Sequence, residues 1–193
     1  PYGASKLYAY NLTKIYRESY NMFASNGILF NHESPFRGET FVTRKIVRGA
    51  VSIVKSKSTC IELGNLNAIR DWGHAQDYCD AMIKIIMHSK PDDFVISSDK
   101  VFSVREFCVK VFEYLGLKIK FNGIGLKEKA IVIKSPRYPN LINKTVIKVN
   151  KKYLRPLDLN YLRGDSSKAK KILKWKIKIN IDQLIAEMVT NDF

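Results

Sequence analysis

The sequence holds only three cysteines, Cys60, Cys79 and Cys108, and no two of them stand at C-x-x-C spacing. That excludes a disulfide framework or a cysteine-based zinc site as the basis of the fold. Free thiols in a reducing, cytoplasmic compartment are the expectation. Long apolar runs are lacking too, since no stretch nears the ~18 residues of a membrane span. The first residues carry neither a signal-peptide nor a transit-peptide pattern. A G-x-G-x-x-G turn is missing, as are a Walker loop, H-E-x-x-H and G-x-S-x-G. The nearest approach is Gly123-Ile124-Gly125, which lacks the third glycine. Acid is scarce: 18 Asp and Glu face 33 Lys and Arg, for a net charge of +15. Such a charge fits either a polyanion partner or a lysine-rich solvated surface with a few cations kept for a phosphate ligand. The lysines are scattered between Lys110 and Lys178 and form no single run, which argues against nucleic acid.

What is present can fill a core. The 193 residues are 46% hydrophobic, with 10 Phe and 10 Tyr, enough for one domain or one and part of another. Residues 4–20 read as a helix with Leu7, Tyr10, Leu12, Ile15 and Tyr16 as its apolar stripe, ended by Asn21. Residues 27–30 look like a buried parallel strand, and 31–40 like a polar loop punctuated by Pro35 and Gly38. A second helix is expected over 41–54, with Phe41, Ile46, Val47, Ala50 and Val54 facing inward. Strands follow at 60–64 and 69–72, a helix at 75–88 and a strand at 94–96. Ser103 and Glu106 have capping-box spacing and open a helix to Leu115. Further strands are expected at 118–121, 131–133 and 146–149, around an irregular loop at 135–144. Asp165 caps a helix over 166–173, and a last helix runs over 181–189. Trp72 and Trp175 read as core. His74 and Asp77, at a helix start, read as capping or packing residues and not as a metal site. The order suits an α/β fold: the second half of a doubly wound parallel sheet, then a small α+β lobe.

Tyr2 and Lys6 stand four apart, hence on one face of the first helix. A Lys cation beside a Tyr phenol makes a usable proton donor and acceptor, as in short-chain dehydrogenases. Alone, this spacing is also that of an ordinary amphipathic helix start. The small Ala4 and Ser5 allow a flat cofactor to approach, and the strand at 27–30 should end at a ligand crevice.

The run Asn31-His32-Glu33-Ser34-Pro35-Phe36-Arg37-Gly38-Glu39-Thr40 through Ile46 resembles the signature of the GDP-mannose 4,6-dehydratases. So do Arg70-Asp71-Trp72-Gly73-His74-Ala75 and Tyr153-Leu154-Arg155-Pro156, so that the resemblance extends over essentially the whole chain. It implies the C-terminal part of a Rossmann-like, extended short-chain dehydrogenase, with residues 1–60 from the NADP-binding domain. Residues 61–193 then form mainly a nucleotide-sugar-binding lobe, with some segments returning to the sheet. The implied activity is a lyase of GDP-fucose biosynthesis. It converts GDP-mannose to GDP-4-keto-6-deoxymannose by internal redox with NADP and loss of water, in a homo-oligomeric, dimeric or tetrameric, enzyme.

The resemblance assigns catalysis to Tyr2 and cofactor contacts to Lys6, His32 and Arg37. It assigns nucleotide-sugar contacts to Asn31, Lys45, Gly64, Arg70, Arg155 and Asp158. An Arg fork suits phosphate, an Asn side chain suits a sugar hydroxyl or phosphate, and Gly64 lets backbone come close. Two positions depart from the pattern: Asp158 stands where Glu is usual, and Phe36 where many relatives carry Arg. The Gly-rich turn and the carboxylate that relatives carry upstream of the Tyr are not in these 193 residues. The chain taken alone is therefore expected to be inactive, poorly soluble and to leave apolar faces exposed. Two alternatives share the Tyr–Lys pair: another NAD(P)-dependent nucleotide-sugar dehydratase or epimerase, and a non-catalytic, truncated nucleotide-sugar-binding paralogue.

Overall fold

The computed structural model describes residues 1–193. In chain order the elements are α1 (Tyr2–Tyr20), β1 (Gly27–Leu29), β2 (Asn31–Glu33), α2 (Val42–Val54) and β3 (Ile61–Leu63). Then come β4 (Ile69–His74), α3 (Ala75–Ile86), β5 (Phe94–Ile96), β6 (Val101–Ser103) and α4 (Val104–Tyr114). The last are β7 (Lys118–Asn122), β8 (Lys129–Lys134), β9 (Thr145–Val149), β10 (Tyr161–Leu162), α5 (Ser167–Ile172) and α6 (Ile181–Asp192). No helix is long and apolar enough to cross a membrane.

The chain divides into two compact units. The first is Pro1–His32, Asp71–Lys100 and Arg163–Ile179; the second is Glu33–Arg70, Val101–Leu162 and Asn180–Phe193. The later segments of the first unit begin at Asp71 and Arg163.

In the first unit β1 and β5 run parallel, with Gly27 opposite Phe94 and Leu29 opposite Ile96. Parallel strands need a crossover, and α3 lies in it. Its inward residues Tyr78, Ala81 and Ile85 join Phe94, Ile96, Ala169, Leu173 and Trp175 in one buried cluster. Trp175 is fully buried, so its indole N–H needs an acceptor, and it donates to the Asp77 carbonyl at 2.8 Å. The Asp77 carboxylate in turn accepts from the Lys178 and Ile179 amides at 3.0 Å each. His74 caps α3, its Nδ1 accepting from the Gln76 amide at 3.0 Å.

Helix α1 has the expected stripe but buries none of its residues: Leu7 is 62% exposed and Ile15 54%. It ends at Asn21 in the left-handed conformation. Arg17 ties it down through a two-pronged contact to Asp93, at 2.9 and 3.1 Å. Asn26 adds its amide and its side chain to the same carboxylate. Together these bonds hold Asp93 well below the usual carboxylate range, although burial alone pushes it up.

A second anchoring carboxylate is Asp99. It accepts from Ser97 Oγ at 2.6 Å, Ser166 N at 2.9 Å, Ser166 Oγ at 2.8 Å and the Lys170 ammonium. Burial raises its pKa, but these bonds outweigh burial and hold it at about 2. A carboxylate depressed in the folded state contributes stability that is complete above its unfolded value, about 4, and is lost as pH falls through the folded one. Asp99 sits at φ 60°, a conformation that Asn also adopts readily. Asp99→Asn therefore keeps the backbone and removes the charge. Thermal melts of the variant should show a shallower decline in stability between about pH 4 and pH 2 than the parent. An unchanged slope would mean that Asp99 has no share in acid unfolding.

The second unit is a four-stranded sheet, ordered β3-β9-β8-β7, with β3 parallel to β9 and the other pairs antiparallel. Helices α2, α4 and α6 pack on one another, with α2 against β3 and α4 against β7. The apolar faces of these helices carry the core: Ile46, Val47 and Ala50; Phe107, Cys108 and Phe112; Leu184, Ile185 and Met188. Burial pushes the Cys108 thiol up, so it stays an inert core residue. The Ser103–Glu106 capping box forms as expected. Asp165 accepts from the Ser167 amide at 2.9 Å, but the cap position of α5 is Ser166. Arg44, nearly buried on α2, makes a two-pronged pair with Asp192 at the end of α6, and holds the two helices together.

Three strands were not expected: β2, β6, and β10, which lies parallel to the start of β4 with Tyr161 opposite Ile69. Residues 31–33 form β2 and not loop. Phe41 does not face inward: it is the extended N-cap of α2 and is 48% exposed.

Candidate active site

In the first unit, Tyr2 and Lys6 lie on the first turns of α1. Both are exposed, and the Lys6 Nζ stands 5.5 Å from the centre of the Tyr2 ring. The Ser5 amide bonds the Pro1 carbonyl at 3.0 Å and Ser5 Oγ the Tyr2 carbonyl at 2.7 Å, which fixes the turn that carries the pair. The phenol and the ammonium therefore share one solvent-facing surface.

Asn31 and His32, in the same unit, are held more tightly. Asn31 Nδ2 donates to the Asp71 carbonyl at 3.1 Å, which leaves Oδ1 as its open acceptor. Asp71 is fully buried, and its carboxylate accepts from both the amide and the hydroxyl of Ser98 at 2.7 Å. Burial pushes the Asp71 carboxyl up, against the pull of these bonds. The His32 Nδ1 lies 2.9 Å from the Phe30 carbonyl, and a carbonyl can only accept. The proton is therefore on Nδ1, and in the neutral ring Nε2 is the acceptor. The ring also packs against Tyr78, with centres 5.2 Å apart.

The second unit holds the other candidates. Arg37 Nε is 3.3 Å from Glu33 Oε2, and its guanidinium carbon stacks 3.6 Å from the centre of the Phe41 ring. Glu33 is buried and accepts from Thr43 Oγ1 at 2.6 Å. Burial raises its pKa, opposed by Thr43 and Arg37. Phe36, beside Arg37, is 93% exposed.

Lys45 and Gly64 come together around Tyr153. The Lys45 Nζ is 3.3 Å from the centre of the Tyr153 ring, a close cation–π contact. At Gly64 the Tyr153 backbone comes so near that an added Cβ would stand 2.1 Å from its carbonyl oxygen. The segment is fixed by Asn150, whose amide bonds Leu63 O at 2.9 Å and whose side chain bonds Glu62 at 2.8 Å. Arg70 and Asp158 also meet, through Nη2 and Oδ1 at 2.9 Å, while Arg70 Nη1 donates to the Ile69 carbonyl at 2.9 Å. The shorter Asp158 is thus long enough to hold the Arg70 fork. Arg155 is exposed, and its carbonyl closes a turn to the Asp158 amide at 3.3 Å.

Reading the sequence picked out Arg37, Lys45 and Asn31 but not the groups that hold them: Glu33, Phe41, Tyr153 and Asp71. The spacing of four between Glu33, Arg37 and Phe41 was a usable signal. Tyr153 lies 108 positions from Lys45, and a single sequence carries no trace of that contact.

The family model of the GDP-mannose 4,6 dehydratases matches residues 1–188. Among curated relatives, GDP-mannose 4,6 dehydratase 2 of Caenorhabditis elegans is 47% identical over 192 residues, all of this chain and 48% of that protein. The human GDP-mannose 4,6 dehydratase is 46% identical over all of this chain and 50% of its own length. The chain thus spans about half the length of the curated relatives it matches. Among solved structures, RMD from Pseudomonas aeruginosa, complexed with NADPH, superposes with a TM-score of 0.78 at 18% identity, over all of this chain and 56% of that one. The dTDP-glucose 4,6-dehydratase of Bacillus anthracis, in complex with NAD, gives 0.75 at 16%, over 99% of this chain and 51% of that one. At such identities the likeness is one of fold, the Rossmann-like α/β fold of dehydratases and epimerases. The three motifs and the match over nearly every residue go further than fold, and on them the chain belongs to the GDP-mannose 4,6-dehydratase family.

Proposed function

We propose that the chain is the C-terminal part of a cytoplasmic, homo-oligomeric GDP-mannose 4,6-dehydratase that uses NADP and makes GDP-4-keto-6-deoxymannose. The observation that carries this reading is the Tyr2–Lys6 pair, open to solvent on one helix face, inside a chain of this family. The unburied stripe of α1 agrees with it, because an amphipathic helix of a globular enzyme packs that stripe on something.

The residues present fit a dinucleotide. His32 offers an acceptor to a ribose hydroxyl, and Arg37 offers a guanidinium whose Nη1 and Nη2 lie beyond its pair with Glu33. When bound, NADP supplies a hydride acceptor that returns the hydride and ends the reaction unchanged. Tyr2 takes the proton of the mannose 4-hydroxyl and later gives one back. Lys6 places a cation on the same face, where it stabilises the negative charge that develops on the phenol oxygen. Asn31 meets a sugar hydroxyl through Oδ1. Lys45 and Arg70 would hold the diphosphate, Gly64 would let the backbone close on it, and Arg155 and Asp158 would serve the nucleoside end. Tyr153 and Asp158 keep the two cations in place meanwhile.

Incubation of the full-length protein with GDP-mannose and NADP⁺ tests the reading. A 4-keto-6-deoxy product with no net reduced cofactor is expected. Binding of GDP-mannose without that product would favour an epimerase-type or non-catalytic protein.

A further inference from the structure

The segment from β2 into α2 closes around the buried Glu33 carboxylate. Thr43 and Arg37 both meet Oε2, at 2.6 and 3.3 Å. The Arg37 amide donates to Ser34 O at 3.0 Å, so the backbone at Arg37 is fixed as well as its side chain. The Phe41 ring supports the face of the guanidinium. Nε faces the Glu33 carboxylate as an ion pair without a formed hydrogen bond, and the Phe41 ring sets the plane, with Nη1 and Nη2 beyond that pair. A fork with its rotamer freedom already spent is ready for the parallel oxygens of a phosphate.

We infer that Glu33 and Phe41 are positioning residues, which hold Arg37 in the orientation that meets a phosphate of the bound dinucleotide. The inference rests on the cofactor reading above and deepens it. Glu33→Gln keeps the size and an acceptor for Thr43, but removes the charge that faces Nε. Phe41→Leu keeps an apolar neighbour but removes the stacking face.

The test is the Kd for NADP⁺ of the full-length protein, titrated for the parent, Arg37→Ala, Glu33→Gln, Phe41→Leu and the double variants with Arg37→Ala. Loss of a charge-assisted contact weakens binding by about tenfold or more, so Arg37→Ala should raise Kd by that factor. Glu33→Gln and Phe41→Leu should each raise it severalfold in the parent and leave it unchanged when Arg37 is already Ala. A residue that matters only for folding would weaken binding by the same factor in both backgrounds. Equal factors in the two backgrounds overturn the inference. So does an Arg37→Ala variant with the Kd of the parent, which removes Arg37 from the cofactor site. If one variant fails to fold, the other still decides the matter. Since binding is read and not turnover, a protein that binds NADP⁺ yet makes no keto-deoxy product sinks the dehydratase reading and leaves this one standing.

Discussion

Phe in place of Tyr2 should lower the turnover of GDP-mannose by the full-length protein by about a hundred- to ten-thousand-fold, the usual share of a positioned acid–base group. The physical basis is narrow. Phe keeps the ring of Tyr2, which is 75% exposed in this chain, and only the hydroxyl is lost. The melting temperature should not move. Lys6 keeps its place 5.5 Å from the ring, since the contact is with the aromatic face and not with the phenol oxygen. Substrate affinity should change little, so the loss should fall on kcat and not on KM. A variant that keeps most of its turnover would take Tyr2 out of the proton path. A fall in melting temperature equal in effect to the loss of activity would make Tyr2 a structural residue instead.

The exposure of Tyr2 has a counterpart along the whole of α1. Leu7, Tyr8, Ile15 and Tyr20 are all more than half exposed, on the helix that carries the pair. An apolar stripe of this size has to be covered in a stable enzyme, because large contiguous apolar patches drive association. On the proposed reading, Tyr2 and Lys6 and the uncovered stripe lie on one helix, so whatever covers that stripe in the full-length enzyme lies beside the pair.

How much of this was legible follows from the range of each signal. Helix α4 begins where Ser103 and Glu106 say it should, because a capping box is complete within four residues. Helix α1 stops at Asn21 for an equally local reason. Strands β6 and β10 were invisible: they have three and two residues, and β10 exists because it lies beside β4 and not for any preference of Tyr161 and Leu162. Phe41 fits the helical period, yet it is the extended residue before the helix, where the period does not apply. Which segments share a unit depends on which of them meet in space, and a single sequence carries little of that. The site shows the same split. Residue types suited to sugar, phosphate and proton transfer could be picked out one by one. That Arg70 is held by Asp158, 88 positions away, could not.

Gly64→Val should destabilise the second unit by about 3 kcal/mol, the upper end of overpacking. The same substitution should weaken GDP-mannose binding by about tenfold or more, if Lys45 gives a charge-assisted contact. Both effects come from one contact. Gly64 is where the chain leaves β3, and the carbonyl of Tyr153 lies where any Cβ at that position would go, at 2.1 Å. The obstacle is backbone and not the end of a flexible side chain, so no rotamer change relieves it. Either residue 64 or the 150–153 segment has to move. Movement of residue 64 would break the bond from the Asn150 amide to the Leu63 carbonyl next to it. Movement of the segment instead takes the Tyr153 ring away from the Lys45 ammonium that it holds at 3.3 Å. In the second case Lys45 loses the face that fixes it, and its charge is spread over many rotamers. Tyr153→Leu separates the two effects: it relieves no clash, keeps the backbone contact and removes only the ring. It should leave the melting temperature nearly unchanged and still weaken GDP-mannose binding severalfold. Titration of both variants beside thermal melts makes the comparison. If Tyr153→Leu binds as the parent does while Gly64→Val does not, Gly64 matters for packing alone, and Lys45 needs no aromatic support to meet its ligand.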